Sequence, residues 1–163
     1  MPDSKRLRIL KAVTDQIETV TVANGYQHEL AGKAYRGRVA YGEESSDTWV
    51  GVFELRPEEV IRAGESVQKD KWYIGVQGVV PSNDVHPTDP AHNLMADVKM
   101  AIGQVTYTTP IDRNENYMFG GLIVDLELDG GMTFVPRENA GMAVFALRLT
   151  LTVVDDALDS YEL

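Results

Sequence analysis

The segment from residue 89 to residue 103 constrains the fold more than any other part of the chain. It opens with Asp89 as a helix N-cap and Pro90 at the first helical position, where the missing N–H costs nothing. Apolar residues then recur at steps of three and four until Gly103, which predicts an amphipathic helix with one face in a core. The residues of that face are Ala91, Leu94, Met95, Val98, Ala101 and Ile102.

The last third of the chain supplies a surface for this helix. Residues 142–154 alternate between apolar and polar side chains, which predicts a long strand with one buried face. The apolar face carries Ala143, Phe145, Leu147, Leu149, Leu151 and Val153. We expect four helix residues to pack on the middle of that face, namely Leu94, Met95, Val98 and Ile102 against Phe145, Leu147 and Leu149.

The remaining segments predict one more helix and several strands. Residues 4–20 predict an opening helix that Asp3 or Ser4 caps. Its expected core face consists of Leu7, Leu10, Val13, Ile17 and Val20. Strands are expected over residues 34–41, 48–55, 71–80 and 121–128, with a short return strand over 132–135 after a glycine turn.

These elements predict a single α+β domain spanning residues 1–163. We expect a mostly antiparallel β-sheet with the two amphipathic helices packed on one face. The polar turn-like residues 42–47 indicate that the first two strands form a hairpin. Residues 56–70 carry seven charged side chains together with Pro57 and Gly64 and predict a mobile or lightly structured excursion.

Composition excludes several classes of function. The chain of 163 residues has no cysteine, which excludes disulfide frameworks, zinc–thiolate sites and thiol nucleophiles. Its apolar runs are far shorter than the roughly 20 residues of a membrane-spanning helix, and we see no export signal, so we expect neither a membrane partner nor secretion. The net charge of −10 argues against general or sequence-specific nucleic-acid binding.

No group of residues predicts catalysis, a metal site or a cofactor site. His86, Asp89 and His92 are close in sequence, but Asp89 is explained as a helix cap and His92 lies opposite the apolar stripe. Lys33 follows Gly32 without the earlier glycine or the following hydroxyl residue of a phosphate-binding loop. We therefore expect a protein that is not an enzyme and that has no catalytic residue, metal or cofactor.

Charge is distributed unevenly along the chain. Residues 1–41 carry seven Lys/Arg and four Asp/Glu, whereas residues 120–163 carry two and eight. This favours self-association in which one end of a copy meets the other end of its neighbour, although ordinary solvated charge is the alternative. Arg36 and Arg38 are expected on one strand face, where two guanidinium groups can reach carboxylates of another chain or form a plain polar face. The candidate interface residues are Lys5, Arg6, Arg8, Tyr35, Arg36, Arg38, Asp155, Asp156 and Asp159.

Several segments together resemble the tail terminator (tail completion) family of long-tailed bacteriophages. The resemblance covers nearly the whole chain in order and rough spacing. Its pieces are an opening helix ending in Asn24-Gly25-Tyr26, then Ala34-Tyr35-Arg36-Gly37-Arg38-Val39, Tyr41-Gly42-Glu43, Lys71-Trp72-Tyr73-Ile74-Gly75-Val76-Gln77-Gly78, Pro87-Thr88-Asp89-Pro90-Ala91-His92, Leu94-Met95-Ala96-Asp97-Val98-Lys99, a long alternating strand, and an acidic tail from Asp155 to Tyr161.

The resemblance implies a structural protein of the virion. It implies a homo-oligomeric ring of six copies that caps the phage tail-tube protein, stops tube growth and offers a surface to the head-neck (connector) protein. The expected place is the head-proximal end of the tail, with assembly in the host cytoplasm. The alternatives are another virion ring subunit (a head-completion, neck or tail-tube protein) and a small ligand-binding domain or enzyme.

Overall fold

The computed structural model describes residues 2–38, 47–56, 67–106, 115–138, 140–156 and 161. It contains a mixed six-stranded sheet and three helices, which confirms the α+β class and a mostly antiparallel sheet. In chain order the elements are α1 (Lys5–Glu18), a 3-10 helix (Val22–Asn24), β1 (Ala34–Arg36), β2 (Trp49–Glu54), β3 (Val67–Pro81), α2 (Asp89–Gly103), a short helical turn α3 (Met118–Gly121), β4 (Asp125–Leu128), β5 (Met132–Phe134) and β6 (Met142–Asp156).

The sheet is built around its two longest strands. β3 and β6 have 15 residues each and pair antiparallel from one end to the other. The strand order is β1-β2-β3-β6-β4, and β5 pairs with β6 rather than folding back along β4. β1 and β4 therefore form the two ends of this strand order.

The first two strands do not form the expected hairpin. β1 pairs with β2 in parallel, so the chain between them must return to the start of β2. β1 also ends at Arg36, because Gly37 adopts a left-handed backbone with φ of +73° and leaves the strand. The rest of the predicted strand, residues 39–41, lies outside the described residues.

Both long helices pack on the same face of the sheet, which we call the covered face. Alternate strand residues point into this core, including Val50 and Val52 of β2 and Ile74 and Val76 of β3. The predicted packing of α2 is confirmed, because its apolar stripe is buried in one cluster with Phe145, Leu147 and Leu149. α2 contacts both β3 and β6.

The buried face of α1 differs from the predicted one by part of a turn. Val13 and Ile17 are fully buried as expected, but Ile9 takes the third position of the stripe. Leu7 and Leu10 are only partly buried. The reason is that α1 contacts α2 as well as β1 and β2, which rotates the stripe toward residues spaced by four. Ser4 caps the helix as predicted, accepting a bond from the Leu7 N–H at 3.3 Å.

Three other boundaries differ from the sequence prediction. β3 already begins at Val67, because residues 67–71 pair with the end of β6 in a polar ribbon. The remainder of the predicted excursion, residues 57–66, lies outside the described residues. β4 begins only at Asp125, because the chain first passes through a left-handed turn at Met118 and Phe119 (φ 50° and 53°). Asp89 lies in the first turn of α2 and is not its N-cap.

The opposite face of the sheet, here called the second face, carries a smaller apolar cluster. Trp49, Val79 and Val144 lie side by side on adjacent strands, joined by Met142 and Phe134. In the described part of the chain, no helix is long and apolar enough to cross a membrane.

Candidate interaction surfaces

The N-terminus of α1 is attached to the β3–β6 ribbon by a cluster of charged and aromatic residues. The Arg6 guanidinium carbon lies 5.3 Å from the centroid of the Trp72 ring. Arg6 Nε lies 3.7 Å from Asp155 Oδ2, and Lys5 Nζ donates to the Val154 carbonyl. Three of the predicted interface residues, Lys5, Arg6 and Asp155, therefore meet within one chain.

This cluster is a moderate stabiliser of the monomer. The Arg6 and Asp155 side chains are 45% and 26% exposed, and an ion pair of this kind contributes about 0–1 kcal/mol. The cation–π contact with Trp72 adds about 0.5–1 kcal/mol. Since Asp155 already faces Arg6 of its own chain, other carboxylates are better candidates for contacts with a neighbouring copy.

Three further predicted interface residues belong to α1 or to the C-terminal segment. Arg8 is partly buried on α1. The side chain of Asp156 is not described, and Asp159 lies outside the described residues.

A second cluster forms where β1 meets β2. The rings of Tyr35 and Trp49 pack edge to face at 6.2 Å. The Arg38 guanidinium carbon lies 4.7 Å from the Tyr35 ring centroid and 4.6 Å from that of Trp49. Two aromatic rings thus hold the Arg38 side chain on the second face of the sheet.

Arg36 and Arg38 do not share a strand face, so this part of the sequence prediction is wrong. Arg36 is exposed and alternates with Tyr35, which places it on the covered side of β1. Arg38 stacks on Tyr35 and so lies on the second face. The left-handed backbone at Gly37 breaks the alternation between them.

The glycine at position 51 lets the backbone at Arg38 pass close to β2 on the second face. A Cβ atom added at Gly51 would lie 2.1 Å from the backbone oxygen of Arg38. Any larger residue would therefore push the returning chain off the sheet. Gly37 provides the turn and Gly51 the space, and together they place Arg38 over Trp49.

The other end of the sheet carries acidic residues that the sequence analysis did not single out. Asp125 and Glu127 are exposed on β4, while Leu126 between them is buried against the covered-face core. Both carboxylates therefore project toward the second face. The alternation of acidic and apolar residues over 125–128 predicts a strand. Only the strand order shows that this strand, β4, lies at an edge of the sheet.

A buried carboxylate fixes the loop that precedes β1. Asp97 on α2 is 4% exposed, and its Oδ2 accepts bonds from the Gln27 and His28 backbone N–H groups, both at 3.0 Å. His28 Nδ1 lies 2.7 Å from the same oxygen and carries the proton, because a carboxylate can only accept. Asp97 thereby attaches the loop to α2 and sets the entry of the chain into β1.

A shallow groove lies on the second face beside the turn between β4 and β5. Its volume is about 460 Å³, and Gly75 and Ala146 form part of its lining between Phe53 and Met132. Among the described residues, no three His, Cys, Asp or Glu side chains are grouped so that they could hold a metal ion. His92, considered above as a ligand, is within hydrogen-bonding distance of Thr133 Oγ1 at 2.9 Å.

Comparisons with known proteins leave the chain without a family assignment. No protein-family model matches it, and no curated protein is significantly similar to it.

Proposed function

We propose that this protein is a structural subunit of a phage virion that assembles into a ring at the end of the tail tube, as tail terminators do. The ring caps the tube, stops its growth and offers a surface for joining the head. Its partners are further copies of itself, the tail-tube protein and a head-neck protein.

The observation that carries the proposal is the arrangement of the segments that resemble the family. The strand segments at residues 34–36 and 71–78 belong to one sheet. The opening helix and the helix after Pro87 both pack on a single face of that sheet. Segments that are each uninformative alone thus form one connected structure. In the described part of the chain, the helices cover one face of the sheet and its two end strands differ in charge, which suits repeated side-by-side contacts.

Negative-stain electron microscopy of the purified full-length protein tests the proposal. We expect closed rings from the protein alone and a single ring at one end of each tube when tail tubes of the same phage are added. Tubes that carry the ring should stop growing when fresh tube protein is supplied. Rings that stack into tubes by themselves would instead identify a tube subunit, and isolated single subunits under all conditions would contradict a ring-forming role.

A further inference from the structure

The two ends of the sheet carry opposite charge. Residues 31–38, which include β1, contain Lys33, Arg36 and Arg38 and no acidic residue. Residues 123–131, which include β4, contain Asp125, Glu127 and Asp129 and no basic residue. β1 and β4 lie at opposite ends of the strand order, so these residues give each copy one basic and one acidic edge, and Lys99 of α2 donates to the Gly130 carbonyl beside the acidic one.

Both edges are open within the described structure. No described strand pairs with the outer side of β1 or of β4. An open edge strand exposes backbone N–H and C=O groups that favour pairing with another chain unless charge or covering structure prevents it. Charge on these edges repels a like edge and attracts the unlike one, so it selects which edges of two copies can approach each other.

The basic edge is positively charged on both sides of β1. Arg36 projects on the covered side, whereas Arg38 lies on the second face over Tyr35 and Trp49. The two stacking contacts hold Arg38 in place before binding, which lowers the entropy lost when it meets a carboxylate. Tyr35 remains partly accessible beside it, with 37% of its surface exposed.

The acidic edge projects its free charge toward the same second face. Asp125 and Glu127 are exposed there. Asp129 is engaged within its own chain, because its Oδ1 accepts the Gly131 and Arg148 backbone N–H groups at 3.0 and 3.1 Å. Asp125 Oδ1 accepts the Leu126 backbone N–H at 2.9 Å, so its second oxygen and the Glu127 carboxylate are the groups that face an approaching basic edge.

We propose that neighbouring copies meet edge to edge, with the β1 edge of one copy beside the β4 edge of the next. The inference rests on the ring proposed above and names the surface that forms it. A contact between two unlike edges is head-to-tail, and such contacts close into a ring when the rotation between copies permits. Arg38 then faces Asp125 and Glu127 of the neighbour on the second face, while Arg36 flanks the same contact from the covered side, so neither arginine meets the C-terminal carboxylates.

Charge reversal at each edge provides the test. Arg38→Glu reverses the charge that lies on the second face at the basic edge, and Glu127→Arg does the same at the acidic edge. The matched controls are Lys69→Glu on the central strand β3 and Asp84→Arg in the loop that follows it, which change net charge equally at exposed positions. Assembly is measured by analytical ultracentrifugation over a range of protein concentrations, and circular dichroism confirms that each variant is folded.

Each edge variant alone should raise the concentration needed for half-assembly by about tenfold, since attraction is replaced by repulsion of like charges. The controls should assemble as the wild-type chain does. An equimolar mixture of the two edge variants should recover assembly, because every contact in an alternating ring again pairs opposite charges. A defect caused by local misfolding would not be repaired by mixing.

Three outcomes would overturn the inference. Edge variants that assemble like the wild type, or mixtures that fail to recover, would show that these edges do not meet. Controls that weaken assembly as much as the edge variants would show only a general effect of net charge. A wild-type chain that stays monomeric would instead contradict the proposed ring, so the two failures are distinguishable.

Discussion

At the scale of single residues, the fold gives different environments to side chains that look equivalent in the sequence. Arg36 and Arg38 flank one glycine, yet Arg36 is exposed at a strand end while Arg38 stacks on two aromatic rings. The difference arises from the left-handed backbone at Gly37. The two arginines should therefore contribute unequally to stability.

Arg38→Ala should lower the free energy of unfolding by about 1 kcal/mol, because it removes two cation–π contacts and the packing of the side-chain stem. Arg36→Ala is the matched control and should change it by less than about 0.5 kcal/mol. Urea unfolding followed by circular dichroism at high salt measures both, since salt should separate the subunits and remove the contribution of assembly. Equal effects of the two substitutions would contradict the different environments.

Substitution of Asp97 should lower the free energy of unfolding strongly, because three donors bond to its carboxylate. Asp97→Ala leaves two backbone N–H groups and the His28 ring without their acceptor. We therefore expect the free energy of unfolding to fall by about 3 kcal/mol. Asp97→Asn retains an acceptor oxygen and should cost about 1 kcal/mol. The exposed Asp15→Ala on α1 serves as the control. The same unfolding experiment would reject this role if Asp97→Ala resembled the control.

At the scale of elements, the helices and strands that could be predicted are those whose apolar residues define a single buried face. α2 and β6 were placed within two residues, and their packing was predicted correctly, because each shows a single regular stripe. The predicted stripe of α1 runs through Leu7 and Leu10, whereas the buried stripe runs through Ile9, Val13 and Ile17. Periodicity alone could not decide between them.

Other features depend on contacts between distant parts of the chain and could not be read locally. The parallel pairing of β1 with β2, and the close approach of the Arg38 backbone to Gly51, join segments that are separated in the sequence. The early start of β3 follows from its pairing with the last residues of β6. Two of the candidate interface residues, Arg6 and Asp155, neighbour each other within the chain, which the sequence alone did not indicate.

The central packing contact of the fold is that of α2 on β3 and β6. Val98 is fully buried, so Val98→Asp would bury an unpaired charge and should cost about 3 kcal/mol or more. Ala96→Asp introduces the same side chain on the exposed face of the same helix and should cost about 0.7 kcal/mol from helix propensity. Thermal unfolding of both variants checks this placement, and similar melting temperatures would contradict it.

At the scale of the whole molecule, the protein combines a net charge of −10 with a sheet whose two ends differ in sign. Overall acidity keeps separate copies apart at long range, whereas the unlike edges attract at short range. Both effects are screened by salt, but the attraction between edges is the one that holds an assembly together. Self-association should therefore weaken as salt increases.

Measurement of the mass in solution by sedimentation equilibrium tests the central claim most directly. At low salt, and over a range of protein concentrations, the account predicts a discrete mass of several subunits. As salt is raised, that mass should fall toward the 18.0 kDa of a single chain. A constant mass of 18.0 kDa at every salt and protein concentration would contradict the account.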